Sequence, residues 1–259
     1  PLKAGERSIA LRDLGCRCRL VQLIGKAESG MELDCVKEDL GLPSLEWNRR
    51  WALKFEEFRK KNPGELYGSQ WGDPEVRGIR YFFRRVFFRR AAGPLYRVVD
   101  DYIRPYVKPD ATVLEIGPGG GRWTRYLVSA KKVVAVDINA EFFAPLRAMF
   151  PDANLGFYQP EGFDLRGVAA DSIDFVFTFG TFVHIDPDGI REYLGEIRRV
   201  LKRGGTAVVQ YAAKEKPAGR KELSFSEMTA EKMAAMAPME IVEHNTRLLS
   251  HSNIAVFRK

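Results

Sequence analysis

The chain predicts an α/β fold: a mostly parallel sheet covered by helices on both faces, closed by an antiparallel hairpin and preceded by a helical cap. Three observations carry that prediction. From Thr112 onward, apolar runs of five to eight residues alternate with amphipathic stretches, the pattern of parallel strands buried on both sides. The last two strand-like runs, 239–247 and 253–258, are joined only by residues 248–252, too short a link for a parallel crossover. Before Thr112, aromatic and apolar residues recur at steps of three and four, the spacing of helices with one buried face.

The 259 residues suit one large domain, or one domain with an elaborated end. Hydrophobic residues at 45% and charged residues at 29% exclude a disordered chain. No run of eighteen apolar residues is present, so no segment reads as a membrane-spanning helix. Cys16, Cys18 and Cys35 all fall near the start. Their number and position argue against a disulfide scaffold and for a reducing, cytoplasmic setting.

Taken in order, residues 1–30 show no sustained period and lack the features of a signal peptide. They read as a leader or a remnant preceding a start at Met31. Residues 46–61 form a helical pattern on Trp47, Trp51, Phe55 and Phe58, ended by Asn62-Pro63-Gly64. The polar, aromatic, glycine-containing loop 67–74 has the composition of a lid, with Tyr67, Gln70 and Trp71 as substrate-side candidates. Over 79–90 a helix is expected, with Ile79, Phe82, Phe83, Val86 and Phe87 on one face and Arg80, Arg84, Arg85 and Arg89 on the other. Window 75–108 holds nine Arg or Lys against three acids, enough to attract an anionic substrate, a nucleic acid backbone or an acidic membrane surface. A further helix starts at Gly93-Pro94 and runs to about Arg104. Strands follow at 112–116, 132–137, 154–158, 173–179 and 206–211, then the terminal pair.

The chemistry is carried by the first strand and the turn after it, Glu115-Ile116-Gly117-Pro118-Gly119-Gly120-Gly121-Arg122. Glycines admit positive φ and let a ligand approach the backbone. Asp137 ends the second strand 20 residues after Gly117, where a carboxylate can accept both hydrogen bonds of a ribose diol. The expected ligand is therefore a nucleoside across the carboxyl ends of these two strands. A dinucleotide site would want a glycine at position 122, and Arg122 stands there.

These segments resemble class I S-adenosylmethionine-dependent methyltransferases. "LEIGPGGG" is similar to that family's first motif, "VVAVDIN" to its second, "DSIDFVFTFGTFVHID" to its fourth-strand motif and "LKRGGTAVVQY" to its fifth strand. The resemblance covers about residues 95–259. It implies a Rossmann-like, seven-stranded sheet with a C-terminal antiparallel hairpin and a cofactor domain over 109–259, and the helical spacing ahead of it reads as a cap or lid over 31–108. It also implies roles. Glu115, Gly117, Gly119 and Gly121 would hold the methionyl end and ribose of S-adenosylmethionine, and Asp137 its ribose hydroxyls. Ile138, Gly162 and Phe163 would flank the adenine, while Phe179, Gly180 and Thr181 would lie beside the sulfonium and the acceptor. "YGSQWGDPE" with the later motifs is similar to a bacterial subset associated with glycan and cell-surface biosynthesis. That narrower likeness implies a sugar hydroxyl as acceptor, on an anionic carrier that would suit the arginines.

Several acceptors are excluded. The fourth strand does not end in the Asn/Asp-Pro-Pro-Tyr/Phe of amino-group methylation on DNA bases, and no cysteine exists beyond Cys35 for pyrimidine C5 chemistry. Paired carboxylates for Mg²⁺ are not favoured, since Pro187 separates Asp186 from Asp188 and Asp174 lies inside a strand. No metal is expected, and nucleic acid is a disfavoured partner. A small-molecule or glycan hydroxyl is the leading acceptor, with N-methylation as its nearest alternative. Two other classes stay open: an NAD(P)-dependent oxidoreductase, and a non-catalytic membrane-surface or nucleic-acid binding protein with peripheral contact through residues 79–90.

His184, five residues past Phe179, is the candidate general base. A histidine that orients the loop, or caps the helix near Pro187, is the alternative reading. Tyr67 and Tyr211 are the substitute proton acceptors, and Tyr211 is a substrate-side candidate at the mouth of the fifth strand.

Overall fold

The structure, a computed structural model, describes residues 53–62, 67, 74, 94–216 and 227–259, all within one compact unit, Leu42–Lys259. The basic stripe at 79–90, Gln70, Trp71 and the expected leader lie outside the described residues.

Seven strands form one sheet: β1 (Thr112–Ile116), β2 (Lys132–Val136), β3 (Leu155–Tyr158), β4 (Ile173–Thr178), β5 (Leu201–Ala212), β6 (Glu240–Asn245) and β7 (Ser252–Arg258). Their order is β3-β2-β1-β4-β5-β7-β6. The pairs β1–β2, β1–β4, β2–β3 and β4–β5 are parallel. The pairs β5–β7 and β6–β7 are antiparallel. The chain reverses its direction of travel across the sheet between β1 and β4, and the mouth of such a crevice is where α/β sheets bind ligands.

Residues two apart on a strand share a face, so the strands sort their side chains into two cores. One face gathers Leu114, Ile116, Val176, Val209, Tyr211, Ala255 and Phe257. Against it lies α5 (Pro187–Val200), whose buried stripe is Ile190, Tyr193, Leu194, Ile197 and Val200. The start of α5 is written in its sequence. Asp186 Oδ1 accepts from the amides of Asp188 (3.0 Å) and Gly189 (2.9 Å), and Pro187 occupies the first helical position, where its missing N–H is no loss.

The opposite face gathers Val113, Phe175, Phe177, Val208, Ile254 and Val256. It is covered by α1 (Pro94–Tyr102) through Val98, Val99 and Tyr102, and by α2 (Thr124–Leu127). Helix α1 ends two residues before the position the sequence predicts. The Ile103 and Arg104 amides both turn back to the Val99 carbonyl, and the chain leaves as a turn toward Pro105. Tyr102 is also drawn into the sheet edge, its hydroxyl donating to Glu243 and accepting from Asn245 Nδ2.

Helix α3 is the short α-helix Phe143–Met149, α4 is the 3₁₀ turn Phe182–His184, and the last helix, α6 (Ala230–Met236), is capped by Thr229. Residues 53–61 are helical. Phe55 from that stretch, with Tyr67, forms a third small core with Phe142 and Leu146.

β5 begins five residues earlier than its apolar run. Leu201 pairs with Ile173 straight out of α5. The polar residues that follow are stitched to the chain end, the Gly204 amide donating to Lys259 O (2.8 Å) and the Lys259 amide to Gly205 O (3.1 Å).

Candidate functional site

The turn after β1 is shaped by what its glycines leave out. Gly117, Gly119 and Gly121 adopt φ of +73°, +49° and +83°, which disfavours any side chain there. The space each one frees differs. A Cβ on Gly117 would lie 1.8 Å from Thr181 Oγ1, one on Gly120 would lie 2.2 Å from Tyr67 Cβ, and one on Gly121 would meet Leu146 at 2.9 Å. Those three positions make room for protein. At Gly119, Gly162 and Gly180 an added Cβ would meet nothing within 4 Å. These three border the open space at the mouth of the sheet.

Two carboxylates stand at that mouth. Glu115 is 1% exposed and accepts from Thr124 Oγ1 at 2.6 Å. Burial pushes its pKa up to about 8, with the Thr124 hydrogen bond pulling down and the Asp137 charge adding to the rise. Asp137 Oδ1 accepts from the Asn139 amide at 2.9 Å. Its burial outweighs the amides of Asn139, Gly119 and Ile138 and lifts the pKa to about 7. A hydrogen-bond donor or a cation brought against either group supplies what burial removed and lowers its pKa again.

Ile138, half-buried, follows Asp137, and its carbonyl accepts from Gln159 Nε2 at 2.9 Å. Phe163 packs edge-on to Tyr193, centroids 5.6 Å apart, and a Cβ on Gly189 would strike its ring at 2.5 Å. The Tyr193 hydroxyl reaches Gly162 O at 3.5 Å. The first turns of α5 thus hold the Gly162–Phe163 shelf.

Past β4, the Phe179 ring lies 4.5 Å from Trp123 and stacks on Phe177. The Gly180 amide donates to Gln210 Oε1 at 2.7 Å. Thr181 turns back, its hydroxyl donating to Ile116 O at 3.2 Å, so it clamps β4 to the glycine turn. His184 sits half-buried in a short 3₁₀ turn, Phe182–His184. The cap of α5 is Asp186, which removes helix capping from the readings of His184. Asp174 lies at the far end of its strand, held by Lys202 Nζ and the Thr112 amide, each at 2.8 Å.

Tyr67 makes a parallel bridge to Gly121 and is 7% exposed. It therefore braces the glycine turn from outside the main run of the domain. Tyr211 is fully buried, bonded to His244 Nε2 and accepting from Asn253 Nδ2 at 3.1 Å. Burial raises both phenols above their ordinary range, so neither suits a base near neutral pH. The structure sets the Gly119 amide on Asp137, Thr181 against Gly117 and Tyr67 against Gly120, places Phe179 and Gly180 just past the end of β4, and buries Tyr211 beside His244.

Sequence reasoning passed over Gln210 and Ser252. Both are buried, and Gln210 Nε2 and Ser252 Oγ have no hydrogen-bond partner among the described residues. The register places Gln210 opposite Ile254 and Ser252 opposite Ala212, so the two share the face that carries Phe179 and are diagonal neighbours, their Cβ atoms about 7 Å apart. One signal was present: a glutamine inside the apolar run of β5.

Residues 113–205 match a family model described as "Methyltransferase domain". Three solved structures share the fold. One is an S-adenosylmethionine-dependent methyltransferase from Mesorhizobium loti, with 14% identity over 64% of this chain and 98% of that one, and a TM-score of 0.54. The PH0226 protein of Pyrococcus horikoshii is 17% identical over 78% and 98%, also at 0.54. A TehB-like methyltransferase from Corynebacterium glutamicum is 15% identical over 83% and 99%, at 0.52. Residues 113–205 thus carry a methyltransferase domain, on the fold that S-adenosylmethionine-dependent methyltransferases share. The residues at the mouth of the sheet fit S-adenosylmethionine: buried carboxylates, Glu115 and Asp137, can meet hydroxyl and ammonium donors, and the open glycine positions allow close approach.

Proposed function

We propose that the chain transfers the methyl group of S-adenosylmethionine to a hydroxyl of an oxygen-rich small molecule, a sugar unit of a glycan being the model acceptor. The observation that carries this is the pair Gln210 Nε2 and Ser252 Oγ, buried on the Phe179 face without partners among the described residues. An amide NH₂ only donates, so it is satisfied by oxygen and repelled by an ammonium group. The acceptor belongs over β4 and β5, next to Phe179 and Gly180, while the cofactor lies over β1, β2 and β4.

In this reading Asp137 takes the ribose diol, Glu115 draws the ammonium of the methionyl tail, and Ile138 with Gly162 and Phe163 flanks the adenine. Gly119 and Gly180 give the backbone its close approach to the cofactor, and Gly117 and Gly121 set the shape of the turn. His184, in the turn after β4, takes the hydroxyl proton as the new C–O bond forms and the S–CH₃ bond breaks. The protein's remaining work is to align the two molecules and exclude water. We assign the reaction to a reducing, cytoplasmic setting on the strength of the cysteine pattern. The basic residues of 79–90 then attract an anionic carrier or the surface of a membrane. Among the described residues no helix is long and apolar enough to cross one.

The experiment is methyl transfer from labelled cofactor to parallel panels of nucleotide sugars, free sugars and primary amines. Product on a hydroxyl, with Ser252→Ala raising KM for that acceptor and leaving cofactor-product affinity unchanged, supports the reading. Methylation confined to amines removes it.

A further inference from the structure

Gln210 is unusual in β5 because its two amide ends are treated differently. Its Oε1 accepts from the Gly180 amide at 2.7 Å, and the side chain is 1% exposed. Gly180 adopts φ +84°, just past the end of β4. The peptide between Phe179 and Gly180 is trans, as are all the described peptide bonds. In a trans peptide the N–H and C=O point to opposite sides. β5 flanks β4 on one side and β1 flanks it on the other. With the N–H held toward β5, the Phe179 carbonyl faces β1 and its glycine turn.

We infer that Gln210 is a positioning residue for the cofactor: by holding the Gly180 amide it presents the Phe179 carbonyl to the ammonium of the methionyl tail. Glu115 lies on the β1 side of the same mouth, in register with Phe177, so the ammonium is met by a carboxylate from one strand and a carbonyl from the next. Without Gln210 the Gly180 amide would be left unpaired at a left-handed glycine, and the peptide could rotate to find a partner. The carbonyl would rotate with it. This inference rests on the cofactor alone and is independent of the acceptor.

The test compares two molecules by calorimetry: S-adenosylhomocysteine, which has the amino-acid tail, and 5′-methylthioadenosine, which shares the nucleoside thioether and lacks that tail. Gln210→Met keeps length and packing and removes both hydrogen-bonding ends. It is expected to weaken S-adenosylhomocysteine about tenfold, the size of a lost hydrogen bond to a charged group, and to leave methylthioadenosine within about twofold. Gln210→Glu keeps an acceptor for the Gly180 amide and is expected to restore S-adenosylhomocysteine to within about threefold of wild type. Equal weakening of both molecules in Gln210→Met, or no weakening of either, would overturn the inference. A second measurement needs no variant: Gly180 amide exchange in the wild-type protein is expected to be slow, and rapid exchange would sink the idea equally. A wild-type chain that bound neither molecule would remove the cofactor assignment itself, and this inference with it.

Discussion

At the residue scale, the glycine turn separates two demands that a motif string merges. Gly117 is required because Thr181 occupies the place of its side chain, whereas Gly119 faces open space. Substituting each by alanine should therefore give different phenotypes. Gly117→Ala is expected to cost stability by about 2 kcal/mol or more, from overlap with Thr181 plus left-handed strain. The paired change Thr181→Ala should recover part of it, as read by thermal melts. Gly119→Ala should melt within about 1–2 kcal/mol of wild type while binding S-adenosylhomocysteine more weakly, because its methyl intrudes on the cofactor. Asp137→Ala should weaken the same ligand by about 1.5–3 kcal/mol, the loss expected when a charge-assisted bond leaves its partner unpaired. His184→Ala should retain that affinity and turn over about 10²–10⁴-fold more slowly. A loss under threefold in single-turnover rate would make His184 an orienting residue. Glu115 and Asp137 were legible in the sequence because they stand at the ends of apolar strands, Glu115 next to last in β1 and Asp137 just after β2. Gln210 was not, since its partner Gly180 lies 30 residues away and a single glutamine in a strand fits no motif.

At the element scale, local chemistry decides what could be read. β1, β2 and β4 end within a residue of their apolar runs, because strands buried on both faces must be apolar throughout. The first five residues of β5 escape that logic. Leu201-Lys202-Arg203-Gly204-Gly205 has no strand pattern, and it pairs because the far end of the chain returns to it through Lys259. Helix α5 is the opposite case, with its cap, proline and stripe all local. Asp186→Ala should cost about 1 kcal/mol, seen as a fall in Tm of about 2–4 °C. That variant tests whether the cap also steadies the shelf of Gly162 and Phe163. If it does, adenine-containing ligands lose affinity along with the melt.

At the scale of the whole molecule, the buried carboxylates set how stability depends on pH. Glu115 and Asp137 have folded pKa values raised to about 8 and about 7. The folded state thus holds more protons than the unfolded chain above pH 4, and stability declines as pH rises toward 8. Other groups act in the opposite sense. Burial at Asp164 is outweighed by Arg166 and Tyr158, which hold its carboxyl at about 2. Arg199 lowers Glu196, and Asp174 is lowered by Lys202 and the Thr112 amide against its burial. Their stabilisation disappears as the solution is acidified below about pH 4. Melts of the free protein should therefore peak at roughly pH 4–5 and fall from there toward pH 8. Saturating S-adenosylhomocysteine should flatten the alkaline limb by supplying donors to both carboxylates, and Asp137→Asn should flatten it without ligand. A free protein whose melting point climbed steadily from pH 5 to pH 8 would contradict the assignment of these two groups.

The bridge from Tyr67 to Gly121 bears on how far the enzyme can be trimmed. Residues matching the family model begin at Val113, and the helix that covers one face of the sheet begins at Pro94, which invites a shorter version cut just ahead of that helix. Such a version would keep all seven strands and both cores, yet it would lose the neighbour against which Gly120 is shaped. The turn would then carry three glycines in a row with one flank open to water, free to sample many backbone states. Each binding event would have to freeze them anew. Tyr67 is thus part of the glycine turn's scaffold, and a gene shortened past it should yield a folded protein that binds a nucleoside poorly.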